Sequence, residues 1–267
     1  MIQILKNSVL ISNRMEKLKV SEITSAQIAS LCDHTFLFPP EYFFDKEAKG
    51  QSTVYLRQKA FEGFLEDIIN ARYHPYSICV RPEDAKYSRE FLENNAMSHI
   101  KVCSVAGFPD GNRHSTISKL SDAHIAIDEG ASEIDVVTSY DLLKKGKIDG
   151  FIYDLKVVNN FVHLHNSIVK AIIETSELTP ALIAAACGIC DEIGVDFVKS
   201  STGFSSYGAR DQDIRIMWQY FPRGLKISGG IKPNNVMDLL EAASDKGFIT
   251  VDPMKLRIGE SSLLQDL

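Results

Sequence analysis

Short apolar segments alternate with longer amphipathic segments along most of this chain, and no other feature of the sequence limits the fold as strongly. The short segments have the length and composition of buried β-strands. They cover residues 32–38, 76–80, 99–107, 133–138, 167–174, 195–201 and 225–229. Between them, apolar residues recur at helical spacing, as in 115–130 and 179–194. Because neighbouring parallel strands need a long crossover, usually a helix, this alternation predicts a parallel α/β sheet.

The number of strands favours a closed barrel over an open sheet. An eighth strand is expected in the C-terminal tail, either at 247–251 or at 255–259, and the pattern does not separate the two. Gly130 and Gly194 follow two of the helical segments, where a left-handed residue would end each helix. No glycine-rich dinucleotide fingerprint follows the first strand, which argues against a Rossmann fold. Eight strand–helix units in 267 residues fit an α/β fold of the (β/α)8 TIM barrel type.

We therefore expect one barrel domain over residues 21–267, preceded by a short N-terminal helical extension over 1–20. A helix is predicted over 20–31, immediately before the first barrel strand. Within residues 1–19 the apolar runs are short and are broken by lysine and arginine, unlike a secretory signal or a membrane span. This pattern predicts a cytoplasmic protein that does not enter a membrane.

The overall charge argues against a nucleic-acid-binding protein. The net charge is −6 at pH 7, whereas nucleic-acid-binding domains are normally basic. A phosphate-bearing metabolite would need a pocket that is positive locally.

The cysteines predict free thiols and give no sign of a metal site. Their number, 5, is odd, and they are spread through apolar segments. Cys187 and Cys190 form a CxxC motif, but it lies in a predicted helix, and the second CxxC of a zinc site is missing. The histidines do not group as metal ligands on one element. We therefore expect no metal and no cofactor.

Five charged residues, each in a different predicted strand, stand out inside apolar segments. Three of them are Lys170, Lys199 and Lys226, and two are Asp33 and Asp135. A buried ammonium group costs several kcal/mol unless it is paired or loses its proton, and a neutral lysine amine is a nucleophile for carbonyl groups. Functional groups of a (β/α)8 barrel gather at one end of the strands. The set therefore indicates a catalytic cavity that can form a Schiff base.

The chain also resembles the deoxyribose-phosphate aldolase family in eight stretches that run in order from Leu31 to the C-terminal tail. They are residues 31–35, 77–82, 102–111, 133–137, 169–175, 197–204, 225–232 and 257–262. The most specific signals are Lys199 followed by Ser-Ser-Thr-Gly-Phe, and Lys226 followed closely by Gly229 and Gly230. Residues 1–20 carry no recognised match.

The resemblance implies a metal-free class I aldolase. Such an enzyme cleaves 2-deoxy-D-ribose 5-phosphate to D-glyceraldehyde 3-phosphate and acetaldehyde, and also catalyses the reverse condensation. By position, Lys199 is expected to be the Schiff-base nucleophile, and Lys226 is expected to favour its neutral amine by like-charge repulsion. Asp135 and Lys170 are expected to form an acid/base pair that moves protons during catalysis.

Glycines and hydroxyl groups near the lysines predict the phosphate and substrate contacts. Gly203, Gly229 and Gly230 follow the sixth and seventh strands, and Gly259, Ser261 and Ser262 are expected to open a final short helix that faces the phosphate. The remaining expected contacts are Lys232 at the rim, Thr202 with a substrate hydroxyl, and Asp33 beside Lys226.

Two positions depart from the family pattern. Phe204 stands where some members have a lysine, so neutralisation of the phosphate is expected to depend more on Lys232 and on helix dipoles. The chain ends at Leu267 without the C-terminal tyrosine that assists proton transfer in some members.

Two other functions stay open from the sequence alone. One is a class I Schiff-base aldolase that acts on another phosphorylated sugar, and the other is a phosphosugar-binding barrel without catalysis. The expected partners are phosphosugar and aldehyde substrates, with neither nucleic acid nor membrane. The resemblance also implies a homodimer.

Overall fold

The computed structural model describes residues 17–46 and 52–267, and its centre is a closed barrel of parallel strands. Ten strands are found within those residues: β1 Lys17–Lys19, β2 Cys32–Phe36, β3 Ser77–Val80, β4 Lys101–Ala106, β5 Glu133–Val137, β6 Ile168–Ile172, β7 Phe197–Lys199, β8 Gly224–Ser228, β9 Phe248–Thr250 and β10 Leu256–Glu260. The barrel order is β10-β2-β3-β4-β5-β6-β7-β8. The predicted (β/α)8 barrel is confirmed.

Helices surround the barrel. In the described part of the chain they are α1 Ser25–Ala29, α2 Thr53–Asn70, α3 Ala85–Asn94, α4 Thr116–Asp128, α5 Tyr140–Lys144, α6 Ile148–Leu164, α7 Pro180–Ile193, α8 Asp211–Tyr220 and α9 Val236–Ala242. Because each barrel strand faces helices on its outer side and side chains on its inner side, its residues are nearly all buried. Among these helices, none is long and apolar enough to cross a membrane.

The C-terminal tail supplies the eighth barrel strand at 256–260, the second of the two alternatives. All five residues of β10 are buried, as a strand inside the closed barrel requires. The other alternative forms β9, which pairs antiparallel with β1 outside the barrel. Phe248 of β9 is exposed, unlike the residues of a strand inside the closed barrel.

Local signals place the helix ends. The helix predicted over 20–31 is shorter, because Thr24 and Gln27 form a capping box that starts α1 at Ser25. Helix α7 ends at Gly194, which has the predicted left-handed conformation with φ 91°. Most of the predicted extension, residues 1–16, lies outside the described residues. The division at residue 20 therefore stays a prediction.

Candidate active site

Inward-facing side chains of six barrel strands meet in one buried group of charges, which we call the central cluster. Its members are Asp33 of β2, Glu133 and Asp135 of β5, Lys170 of β6, Lys199 of β7, Lys226 of β8 and Arg257 of β10. Side chains of a strand alternate between its two faces, so Glu133 and Asp135 both point inward. Lys199 is paired in register with Lys226, and Asp135 with Lys170. The register therefore brings together all five charged residues that the sequence singled out.

The Asp135 carboxylate is the centre of this cluster, because it contacts all three lysines. Its Oδ2 atom lies 2.9 Å from Lys199 Nζ and 2.8 Å from Lys226 Nζ. Its Oδ1 atom lies 2.9 Å from Lys170 Nζ. Two ammonium groups thus compete for one carboxylate oxygen, and each disfavours the charge of the other.

The three lysines differ in how many carboxylates they contact. Lys170 Nζ also lies 2.6 Å from Glu133 Oε2 and 3.8 Å from Asp33 Oδ2. Lys226 Nζ lies 2.6 Å from Asp33 Oδ2. Within the described residues, Lys199 has an ion pair with Asp135 alone. Its ammonium form is therefore the least compensated of the three.

Arg257 forms the floor of the cluster together with Asp33 and Glu133. Its guanidinium group donates to Asp33 Oδ1 at 2.6 Å and to Glu133 Oε1 at 2.8 Å. Ser77 Oγ donates to the same oxygen of Asp33 at 2.6 Å. These bonds hold Asp33 beside Lys226 at the floor, so the structure does not place it at the mouth, where the expected substrate contact would lie.

The central cluster has one more cation than anions when every group is charged, since three carboxylates face three lysines and one arginine. Such an excess is costly inside a protein, and the loss of one proton removes it. Burial opposes the charge of Lys226, but Asp135 and Asp33 raise its pKa above the ordinary value. Burial likewise opposes the charge of Lys170, but Asp135, Cys103 and Glu133 raise its pKa well above that value. Of the three lysines, Lys199 is the one with the fewest ion pairs to hold its charge.

Asp135 stays ionised in this setting. Burial alone would raise the pKa of the Asp135 carboxyl, but the ammonium groups around it hold that pKa well below the usual range. A buried anion beside a neutral amine can accept and return protons during reactions of that amine.

Gly259 corrects one expectation from the sequence. It was expected to open a final helix at the phosphate, but it lies inside β10. A Cβ atom at this position would lie 2.9 Å from Lys226 Cε and 2.9 Å from Ser228 Cβ. The missing side chain therefore makes room for Lys226. The short 3₁₀ turn after it begins only at Leu263.

The other glycines expected at the phosphate lie in turns beyond β7 and β8. Gly203, Gly229 and Gly230 all have positive φ, at 86°, 96° and 69°. A Cβ atom on Gly208 would lie 2.1 Å from the carbonyl oxygen of Gly229. Two backbone segments therefore approach each other closely here, next to the strands that carry Lys199 and Lys226.

The remaining expected contacts lie at the rim. Ser261 and Ser262 are exposed immediately after β10, and Lys232 is exposed after the Gly229-Gly230 turn. Phe204 is half-exposed, and its ring packs edge-on against Phe108 at a centroid distance of 5.2 Å. An aromatic contact thus occupies the position where some members of the resembled family have a lysine.

Thr202 has a partner that the sequence did not reveal. Its Oγ1 atom donates to Glu174 Oε2 at 2.5 Å, and its backbone N–H donates to the same oxygen at 3.1 Å. Glu174 is buried and has a left-handed backbone with φ 53°, which is strained for a residue with a side chain. Glu174 therefore fixes the turn after β7 to the end of β6.

Sequence reasoning missed Glu133, Arg257 and Glu174 as parts of the site. Glu133 precedes Asp135 by two residues, so the alternation of strand side chains could have placed both on one face. Arg257 stands inside an apolar segment, as the lysines do, but that segment was one of two alternatives for the eighth strand. No sequence signal pointed to the contact between Glu174 and Thr202.

Comparisons with known proteins match the chain to a family of aldolases. Residues 31–251 match the model of the DeoC/LacD family aldolases. A deoxyribose-phosphate aldolase of Caldicellulosiruptor saccharolyticus is 35% identical over 228 residues, which cover 84% of this chain and 94% of that relative. A deoxyribose-phosphate aldolase of Clostridium botulinum is 39% identical over 191 residues, which cover 70% of this chain and 87% of that relative.

A solved structure shares the fold. The deoxyribose phosphate aldolase from Aeropyrum pernix, described as having a unique tetrameric structure, matches with a TM-score of 0.71 and 21% identity. The match covers 91% of this chain and 92% of that one. At this identity the likeness supports the barrel fold.

Proposed function

The chain belongs to the DeoC/LacD family of aldolases, and from this premise we propose that it is a deoxyribose-phosphate aldolase. It cleaves 2-deoxy-D-ribose 5-phosphate reversibly to D-glyceraldehyde 3-phosphate and acetaldehyde, a reaction of deoxyribonucleotide catabolism. The observation that carries the proposal is the central cluster, where three lysines share one carboxylate and Lys199 is the least compensated.

Lys199 forms the covalent intermediate. Its neutral Nζ attacks C1 of the open-chain sugar, and loss of water from the carbinolamine leaves a protonated iminium. The iminium lies beside Asp135 Oδ2, and the negative charge of this carboxylate stabilises it. The iminium then draws the electrons of the C2–C3 bond into an enamine as the bond breaks.

Asp135 moves the protons of this sequence. Its Oδ2 atom lies 2.9 Å from Lys199 Nζ, the nitrogen that binds C1 of the sugar. It accepts the proton of the C3 hydroxyl during cleavage, and a proton returns to the enamine carbon. Water then releases acetaldehyde and restores the amine of Lys199.

Lys170 has a narrower role than the acid/base role expected from the sequence. Its Nζ is fully buried and contacts Glu133 and Asp135, on the floor side of the cluster. Burial opposes the charge of Lys170, but Asp135 and its other neighbours raise its pKa well above the ordinary value, so it stays an ammonium beside Asp135. We assign it to holding Asp135 in place and ionised, while Lys226 repels a second charge on Lys199.

The phosphate binds at the rim formed by the turns after β7, β8 and β10. The open backbone at Gly203, Gly229 and Gly230 lets N–H groups approach a phosphate closely. Ser261 and Ser262 add hydroxyl groups, and Lys232 adds a positive charge. Thr202 positions the first of these turns through Glu174.

Reduction with borohydride in the presence of acetaldehyde tests the proposal. We expect one ethyl group on Lys199, located by peptide mass spectrometry, and acetaldehyde among the products from 2-deoxy-D-ribose 5-phosphate. An adduct on Lys199 without cleavage of this sugar would support another Schiff-base aldolase. Phosphosugar binding without any adduct would support a barrel that only binds.

We also propose that the protein is a cytoplasmic homodimer, as the sequence led us to expect. Sedimentation of the purified protein distinguishes a dimer from the tetramer described for the relative from Aeropyrum pernix. Fractionation of cells that express the full chain tests the compartment.

A further inference from the structure

Two cysteines face each other inside the barrel, directly beside Asp135. Cys79 of β3 and Cys103 of β4 are register partners on neighbouring parallel strands, and both are fully buried. Cys103 Sγ lies 3.1 Å from Asp135 Oδ1, and Cys79 Sγ lies 3.9 Å from Asp135 Oδ2. Neither thiol has a part in the aldolase chemistry described above.

The positions of these two strands suit a bond between the two sulfur atoms. Register partners on neighbouring strands have Cα atoms about 4.8 Å apart, which lies within the range of about 4.4–6.8 Å found across disulfides. Ligand atoms of Cys79, Cys103 and Asp135 all lie within 4.8 Å of one another, so a metal ion could also be considered. However, the same carboxylate already contacts three lysine ammonium groups, and their charge opposes a cation there.

We propose that Cys79 and Cys103 form an oxidation site, where a small peroxide converts the two thiols to a disulfide and thereby stops the aldolase reaction reversibly. The oxidant is hydrogen peroxide or an alkyl hydroperoxide of similar size. The pair is distinct from Cys187 and Cys190, which are buried in α7 and belong to another hydrophobic cluster.

The chemistry takes two steps and balances. The Cys79 thiolate attacks one peroxide oxygen, and the O–O bond breaks to give a sulfenic acid at Cys79 and hydroxide. The Cys103 thiol then attacks the sulfenic sulfur, the S–O bond breaks, and the oxygen leaves as water with the thiol proton. Both thiols together lose two electrons and two protons, and one peroxide is reduced to two waters.

The surroundings assign the first step to Cys79. Contact with the Cys103 thiol, followed by the positive charges of Lys226 and Lys199, lowers the pKa of the Cys79 thiol, although burial and the charge of Asp135 oppose this. Burial raises the pKa of Cys103 well above the ordinary value, so Cys103 acts second, as the resolving thiol.

The position of Asp135 explains both how a peroxide reaches Cys79 and how the disulfide stops the aldolase reaction. Its Oδ2 atom contacts Lys199, so a cavity that admits a sugar aldehyde to Lys199 admits the smaller peroxide to Cys79 Sγ nearby. The disulfide removes the hydrogen bond that Cys103 donates to Asp135 Oδ1 and moves both sulfur atoms away from the carboxylate. The carboxylate on which the three lysines depend then loses its fixed position.

Peroxide treatment of the purified full chain, with a chelator present to exclude metals, tests the site. We expect loss of most aldolase activity, return of that activity with dithiothreitol, and a peptide pair joined through Cys79 and Cys103 that has lost two hydrogens. The bound substrate should slow the loss. Inactive protein without this linked peptide pair would overturn the proposal, and peptide mapping gives that answer whichever sugar the enzyme cleaves.

Cysteine variants serve as controls, each compared with its own untreated activity. Cys79→Ala should lose activity to peroxide much more slowly than the wild type. Cys103→Ala lacks the resolving thiol, so Cys79 should pass to the sulfinic acid, and dithiothreitol should restore a smaller fraction of activity. The double variant Cys187→Ala/Cys190→Ala should respond as the wild type does. Inactivation of Cys79→Ala at the wild-type rate would contradict the site.

Discussion

Two regions of this protein bury lysines, and they differ in how many cations share each carboxylate. In the central cluster, Asp135 contacts three lysines. In the second region, which we call the Lys119 cluster, Lys119 of α4 lies 2.6 Å from Asp154 Oδ2 of α6. Ser139 and Thr116 complete the Lys119 cluster as hydrogen-bond donors to Asp154. The single ammonium group of the Lys119 cluster thus has a carboxylate of its own, whereas the three lysines of the central cluster share Asp135.

This difference separates a structural lysine from a reactive one. Lys119 and Lys199 are buried to nearly the same degree, at 0% and 2% exposure. The ion pair of Lys119 also joins two helices and the end of β5, a structural task. Burial alone therefore does not predict a nucleophile. What predicts it is an excess of cations over carboxylates in a cavity that a substrate can reach.

Replacement of Lys199 and of Lys119 by leucine, in separate variants, should give the largest difference between the two clusters. We expect Lys199→Leu to lower kcat/KM by at least about 10⁴-fold because the nucleophile is lost. The variant should keep its fold, since Lys170 and Lys226 still pair with Asp135. Steady-state kinetics and circular dichroism check both statements.

The matched variant Lys119→Leu should show the opposite behaviour. It leaves Asp154 buried without its cation, at a cost of about 3–5 kcal/mol in the free energy of unfolding. Its folded fraction should still form the borohydride adduct on Lys199. An active Lys199→Leu variant would reject Lys199 as the nucleophile.

Removal of the Asp135 carboxylate and of the Asp154 carboxylate, in separate variants, should give the next largest difference between the two clusters. We expect Asp135→Asn to lower kcat by roughly 10²- to 10⁴-fold, because the group that moves protons is lost. Asp154→Asn should lower the stability and leave kcat of the folded protein close to that of the wild type. Kinetics at a temperature where both variants are folded, as judged by circular dichroism, separate the two results. Equal losses of kcat in both variants would show that the two regions do not differ as described.

Sequence reasoning predicted the barrel and the three lysines, because both depend on local pattern. Short apolar strands alternate with helices, and a charge inside an apolar strand stands out. The choice of the eighth strand depended on tertiary contacts, since 247–251 and 255–259 are both short and apolar in part. Only the closure of the barrel between β8 and β2 decided it.

The unequal roles of the lysines could be predicted only in outline. The roles depend on the number of carboxylates at each Nζ, and two of the carboxylates that decide it belong to Asp33 and Glu133. The role of Glu133 requires the register of neighbouring strands, which the sequence does not state. Gly259 failed as a helix start for a related reason, because its position opposite Ser228 and close to the Lys226 side chain comes from the β8–β10 pairing.

A methyl group at Gly259 should have an intermediate effect. Gly259→Ala places a Cβ atom 2.9 Å from Lys226 Cε, which forces that side chain away from Lys199 and Asp135. We expect a loss of about 1–3 kcal/mol in the free energy of unfolding and a loss of roughly tenfold in kcat. Denaturant unfolding and steady-state kinetics measure the two.

Gly188→Ala is the control for this change. A Cβ atom on Gly188 in α7 meets nothing within 4 Å, so alanine should stabilise the helix by about 0.5–1 kcal/mol and leave kcat unchanged. If Gly259→Ala also kept full kcat, the position of Lys226 would not matter to the reaction.

The smallest effect should come from Glu174, a buried carboxylate whose donors are neutral groups. Glu174→Gln keeps an oxygen that can accept from Thr202 but removes the negative charge from both hydrogen bonds, so the turn before Gly203 should loosen. We expect KM for 2-deoxy-D-ribose 5-phosphate to rise roughly tenfold with a smaller change in kcat, since one charge-assisted hydrogen bond contributes about 1.5–3 kcal/mol. The control is Glu177→Gln. Glu177 lies in the short 3₁₀ turn directly after Glu174 but pairs with Lys144, so this change should leave KM near the wild-type value.

The same sugar without its phosphate shows which group Glu174 serves. If Glu174 shapes the phosphate turn, kcat/KM for 2-deoxy-D-ribose should be nearly the same in Glu174→Gln and in the wild type. An equal loss with both sugars would mean that Glu174 acts on Lys199, which precedes the same turn on β7. The charge balance that distinguishes the central cluster from the Lys119 cluster would then have to include the strained carboxylate at the end of β6.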